Sequence, residues 1–165
     1  MDNIILIGMP GCGKSTVGVV LAKRLGYGFI DSDLRIQERE KRLLSQIIAE
    51  EGLDRFNQIE EEVNASLEAD HSVIATGGSV VYGPRAMEHL ASLGTIVYLK
   101  LPYREVEERL GDLRERGVSF RQDQTLWDLY RERVPLYEKY ADVTVDGSGL
   151  PLRQVVEKIQ EACGK

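Results

Sequence analysis

The sequence is poor in the residues that most often cross-link a fold or hold a metal: among 165 residues there are two cysteines, two histidines and one tryptophan. Cys12 and Cys163 are too few and too isolated for a disulfide framework or a metal cluster, so both are expected as free thiols. His71 and His89 have no acidic or nucleophilic companions at catalytic spacing, which leaves them surface or core roles. No apolar run approaches the ~20 residues that a membrane span needs, and the first residues enter a strand pattern without a basic-then-apolar leader. A cytoplasmic protein with no membrane partner is expected. A block of Lys and Arg interleaved with aromatics is also missing, and the formal net charge is −6 at pH 7. A nucleic-acid partner is therefore not expected, and any anionic ligand must be held locally by a few residues.

What the sequence does have is alternation. A 42% hydrophobic content in 165 residues supplies one full core and not two, so 1–165 is read as a single domain. Short apolar, β-prone runs recur at 4–7, 27–30, 72–75, 95–99 and 143–145. Helical patterns separate them at 14–25, 34–41, 44–49, 53–69, 84–93, 103–115, 125–140 and 151–162. Asp123 or Thr125 is a candidate cap for the seventh of these, and Pro151 sits at the first turn of the last. The class is α/β, with a parallel sheet buried on both faces and ligands at the carboxyl ends of its strands, after Ile7, Ile30 and Ala75.

The loop after the first strand reads Gly8-Met9-Pro10-Gly11-Cys12-Gly13-Lys14-Ser15-Thr16, a G-x-x-x-x-G-K-S match set between a strand and a helix. Backbone N–H groups of Gly11, Cys12, Gly13 and the helix start through Thr16 are placed to face phosphates; Lys14 spans the β/γ oxygens and the Ser15 hydroxyl ligates Mg²⁺. A nucleotide-binding protein follows. After the second strand comes Asp31-Ser32-Asp33. In an extended segment residues two apart point to one side, so Asp31 can serve the metal and Asp33 the attacking hydroxyl; a helix cap is the competing role for one of them. Thr76-Gly77-Gly78 after the third strand can bring backbone N–H groups close to a substrate, and Arg133 can turn inward to an anion.

Together with Phe56, Ile59-Glu60, an arginine-bearing charged stretch at 113–124, Arg133-x-Pro135-Leu136-Tyr137 and Ala141-Asp142, these motifs resemble the shikimate kinase family over essentially the whole chain. The resemblance implies a three-layer phosphate-loop kinase fold with a five-stranded parallel sheet and a mobile lid near 113–124. It also implies substrate helices over about 33–62, and ATP- and Mg²⁺-dependent phosphorylation of the 3-hydroxyl of shikimate; a monomer is expected. Carried over residue by residue, Lys14, Asp33 and the lid's Arg116 are catalytic, with Arg116 on the nucleotide and Arg121 its competitor. Ser15 and Asp31 serve the metal, while Asp33, Asn57, Gly77, Gly78 and Arg133 line the acceptor site.

Three positions depart from the family pattern. Asn57 stands where an arginine would clamp the acceptor's carboxylate, with Arg55 a candidate substitute. Ser79 replaces a third glycine, and Arg116-Gly117-Val118-Ser119 replaces the lid's usual Arg-Pro-Leu-Leu. Two other readings remain open at this point: a kinase of another small hydroxylated metabolite, and a silent ATP-binding module.

Overall fold

The run Asn3–Ile7 forms the central strand β1, with every residue buried, as a strand covered on both faces requires. Around it the computed structural model, which describes residues 2–110, 121 and 123–165, lays four more parallel strands: β2 (Gly28–Asp31), β3 (Ser72–Ala75), β4 (Gly94–Lys100) and β5 (Val143–Asp146). Their order is β2-β3-β1-β4-β5. Helices α1 (Lys14–Leu25), α2 (Ser32–Glu40), α3 (Leu44–Glu51), α4 (Leu53–Ala65), α5 (Pro84–Leu93), α6 (Tyr103–Arg109), α7 (Leu126–Tyr140) and α8 (Leu152–Ala162) connect or flank them. A 3₁₀ turn over Val80–Tyr82, which the sequence pattern did not suggest, precedes α5.

The strand order positions the chemistry. β1 lies between β3 and β4, and β3 lies between β1 and β2, with Leu6 paired to Ala75 and Ala75 to Asp31. The loops after Ile7, Asp31 and Ala75 therefore emerge side by side at the carboxyl end of the sheet, where a reversal of strand order opens a crevice. The main core fills both faces of the sheet. A separate apolar cluster of Ile36, Ile47, Phe56, Ile59 and Val63 joins α2, α3 and α4. That satellite core gives the expected substrate helices their own packing and fixes their angle to the sheet.

Several boundaries differ from expectation for local reasons. α2 begins at Ser32, so Asp33 lies in the first helical turn and not on an extended strand end. The Asp31 side chain causes this, accepting from the N–H groups of Asp33 and Leu34 as the helix cap. Thr125, and not Asp123, caps α7 through the Asp128 N–H. Pro151 stands one residue outside α8, and α4 ends at Ala65. Most of the expected lid, 113–124, lies outside the described residues, and Arg116 with it.

Candidate active site

The phosphate loop owes its shape to backbone that few side chains allow. Gly13 has φ of 91° immediately before α1, a left-handed conformation that side-chain-bearing residues rarely adopt. Lys14 is buried, and its Nζ donates to the carbonyls of Gly8 at 2.8 Å and Met9 at 2.9 Å. The ammonium is thus held inside the loop with no acidic side chain in ion-pair contact among the described residues. The Ser15 hydroxyl donates to Asp31 Oδ2 at 2.8 Å, while Asp31 Oδ1 caps α2. One carboxylate therefore does both things weighed for it: it starts the helix and it sits against the loop serine.

A cavity of about 360 Å³ is lined by Gly11, Gly13, Lys14, Ser15 and Thr16 on one side and by Asp33, Thr76, Gly77 and Gly78 on the other. Asp33 reaches it from the first turn of α2, which places both aspartates at the site by helix geometry and not by strand alternation. Enclosure, then the charge of Asp31, pushes the Asp33 carboxyl up to about 6 against the pull of Lys14. A carboxylate poised near neutrality, next to a phosphate loop, is suited to accept a hydroxyl proton.

The third wall is the loop after β3. Thr76 Oγ1 donates to the Leu6 carbonyl at 2.7 Å and pins that loop to β1. A Cβ on Gly78 would lie 2.7 Å from Pro10 and 3.0 Å from Arg133 Nη1, so only glycine fits between the phosphate loop and that guanidinium. Arg133 is 1% exposed, turned inward from α7 with Leu129 and Tyr137 on the same face. Its Nε donates to the Tyr82 hydroxyl at 3.3 Å, and its guanidinium lies 5.3 Å from the Tyr82 ring centre. Tyr137, fully buried, donates to the Gly78 carbonyl at 2.6 Å.

Two alternative candidates lie away from this cavity. Arg55 does not substitute for the cation missing at residue 57, since it faces Glu51 and Glu62 on the surface. Arg121 does not line the phosphate cavity; it borders a separate space of about 170 Å³ with Asn57, Tyr82 and Glu132. Asn57 likewise stands apart from the phosphate cavity, beyond Tyr82.

Sequence reasoning gave no role to Glu60 or Arg109. Glu60, 2% exposed, accepts from the Ser79 hydroxyl at 2.5 Å. Burial pushes its carboxyl up to about 7, opposed by the Ser79 hydrogen bond. Arg109, at the end of α6, donates to the Cys12 carbonyl at 3.3 Å. It borders a cavity of about 210 Å³ with Cys12, Leu99, Leu101, Leu150 and Val155, directly behind the phosphate loop.

The raised carboxyls have a stability consequence. Asp33 and Glu60 rise from ordinary values of 3.8 and 4.5, so across about pH 4.5–7 the folded chain holds protons that the unfolded chain has released. Stability then falls as pH rises through that window. The effect is on the order of 2 kcal/mol, or about 5 °C in melting midpoint for a domain of this size. Glu60→Gln, which still accepts from Ser79 but cannot ionise, should flatten about half of the decline, leaving the part due to Asp33. Melting curves at pH 5, 6 and 7 check this, and an unchanged slope in the variant would contradict it.

Comparison with known proteins agrees with this geometry. The family model described as Shikimate kinase matches residues 10–164. A shikimate kinase of Thermodesulfovibrio yellowstonii is 38% identical over 96% of this chain and 93% of its own length. The crystal structure of shikimate kinase from Aquifex aeolicus superposes with a TM-score of 0.81 at 34% identity, covering 97% of this chain and 95% of that one. The Acinetobacter baumannii shikimate kinase in complex with shikimate gives 0.82 at 30% identity, over 98% and 92%. A match of this extent, on a sheet whose three adjacent loops carry the motifs, shows that the chain belongs to the shikimate kinase family.

Proposed function

We propose that this protein transfers the γ-phosphoryl group of ATP to the 3-hydroxyl of shikimate. The observation that carries the reading is the shared cavity, in which the phosphate loop faces Asp33 and the Gly77-Gly78 backbone with no wall between them. In-line transfer needs donor and acceptor in one enclosure, with positive charge at the moving phosphoryl and a base at the hydroxyl. Lys14 supplies the charge, Asp33 accepts the hydroxyl proton, and the loop N–H groups hold the β-phosphate. Arg133, the buried cation beside Gly78, would bind the acceptor's carboxylate.

The residues present suit a magnesium ion. Ser15 Oγ and Asp31 Oδ2, 2.8 Å apart at the edge of the phosphate loop, are hard oxygen donors, and each gives up only their mutual hydrogen bond to take part. A Mg²⁺ ion held by Ser15 and Asp31 would neutralise negative charge on the nucleotide's phosphates.

The smaller cavity behind the loop is the proposed place of the adenine ring, with Arg109 in the wall of a largely apolar pocket. Arg109→Ala is expected to raise KM for ATP about tenfold and leave KM for the acceptor within about twofold. Initial-rate measurements with each substrate varied separate the two; equal changes in both constants would remove Arg109 from the base site.

A nucleoside-monophosphate acceptor is disfavoured by the arginines near the strand ends. Arg39 pairs with Glu40 and Glu62, and Arg42 with Glu40, Glu50 and Glu51, on the surface. A screen of ADP release with shikimate, nucleoside monophosphates and small hydroxy acids tests the assignment. Shikimate is expected to give the largest kcat/KM, and a preference for a nucleoside monophosphate would overturn it.

A further inference from the structure

We infer that Glu60 and Ser79 form a positioning pair at the acceptor end of the site, in which the Ser79 hydroxyl takes the place of the cation missing at residue 57. The inference rests on the acceptor assignment above.

Glu60 projects from the core face of α4 at the positions Phe56, Ile59, Glu60 and Val63, a stripe otherwise apolar. Its Oε1 accepts from Ser79 Oγ, and its Oε2 is fully shielded with no hydrogen-bond partner among the described residues. A Cβ on Gly77 would fall 2.6 Å from Glu60 Oε2 and 2.7 Å from Asp33 Oδ1, so both carboxylates press against the same side of Gly77. The other charges facing Glu60 are Lys14 of α1 and Arg133 of α7. Glu60 thus stands at the junction of the base, the buried arginine and the glycine loop.

Asn57 lies one turn before Glu60 on α4, and residues three apart on a helix are neighbours. An arginine at 57 would reach the Glu60 carboxylate from its own helix. Ser79 reaches it from the loop instead. The two departures from the family pattern, at 57 and 79, therefore converge on one carboxylate. A buried carboxylate stripped of its donors is costly, and its loop would shift to find another. The Ser79 hydroxyl satisfies one oxygen and ties the turn after Gly78 to α4, without touching the acceptor itself.

A double-mutant cycle tests the pair. Ser79→Ala is expected to raise KM for shikimate about tenfold, with kcat and KM for ATP within about twofold. Ser79→Thr, which keeps the hydroxyl, should stay near the parent. Asn57→Arg should lower KM for shikimate by a clearly larger factor in the Ser79→Ala background than in the parent, returning the double variant to within a few-fold of parent behaviour. The melting midpoint should show the same coupling: a loss in Ser79→Ala that Asn57→Arg restores. An unchanged KM in Ser79→Ala, or the same Asn57→Arg factor in both backgrounds, would overturn the pairing. If Ser79→Ala does not fold, Ser79→Gly, the residue of the family pattern, enters the cycle in its place. If the parent does not turn over shikimate, the acceptor assignment fails, and the midpoints alone decide the pair: additive shifts overturn it and coupled shifts support it.

Discussion

Lys14→Met is expected to lower kcat by about 10³-fold or more in a protein that still folds. The expectation comes from where the ammonium sits. Lys14 Nζ is enclosed by the loop and, among the described residues, held by the carbonyls of Gly8 and Met9 with a weak contact to Cys12 Sγ at 3.6 Å. A triphosphate in the adjoining cavity offers that charge a far stronger partner, and its negative charge shifts during transfer to where Nζ can follow. Fixed donors aimed at developing charge in an enclosed site account for the larger part of such rate enhancements. Methionine fills the space of the lysine stem but leaves two loop carbonyls without their donor, at a cost of about 1–3 kcal/mol. The variant should therefore melt a few degrees below the parent, with the same circular dichroism spectrum. Single-turnover rates at saturating ATP and acceptor check this, and an unchanged kcat would remove the loop from the chemistry.

Asp33→Asn should lower kcat by about 10²-fold or more with little change in KM for ATP. Asparagine keeps the shape of the side chain against Gly77 and loses the proton acceptor. Asp33 is the better placed of the two aspartates for this role because Asp31 is already committed, one oxygen to the α2 cap and one to the Ser15 hydroxyl. Asp33 by contrast lines the open cavity beside Gly77 and Gly78. The opposite outcome, lost ATP binding with turnover surviving at saturation, would exchange the roles of the two aspartates.

The sequence reveals the parts of this site that depend on chain-local chemistry. The phosphate loop is legible because its glycines, lysine and serine are contiguous, and the sheet because five short apolar runs alternate with helical periods. Asp31 and Asp33 are legible as a pair. Their geometry is not: the cap formed by Asp31 draws the helix start back to Ser32, a competition between strand extension and capping that spacing alone leaves undecided. Strand order is a tertiary property, and with it the adjacency of the three loops. Arg133 and Glu60 show a signal that periodicity does carry. Leu129, Arg133 and Tyr137 are spaced four apart, and Glu60 falls four after Phe56 in an apolar stripe. A charged residue at such a position is buried with a partner or not at all. Reading the partner, Tyr82 for one and Ser79 for the other, needs the folded chain. Arg109 has no comparable signal, since it ends a short helix among other charges and becomes a wall of the pocket behind the phosphate loop only through the packing of β4, the segment after β5 and α8 around it.

The most direct test of the whole account is the product. With Mg·ATP and shikimate, ³¹P and two-dimensional proton NMR should show one new phosphomonoester, attached at the 3-hydroxyl, formed in a one-to-one ratio with ADP. ADP released without phosphorylation of shikimate, or a phosphate carried on a different hydroxyl, would contradict the proposed placement of Asp33, Arg133 and the Gly77-Gly78 backbone around that acceptor.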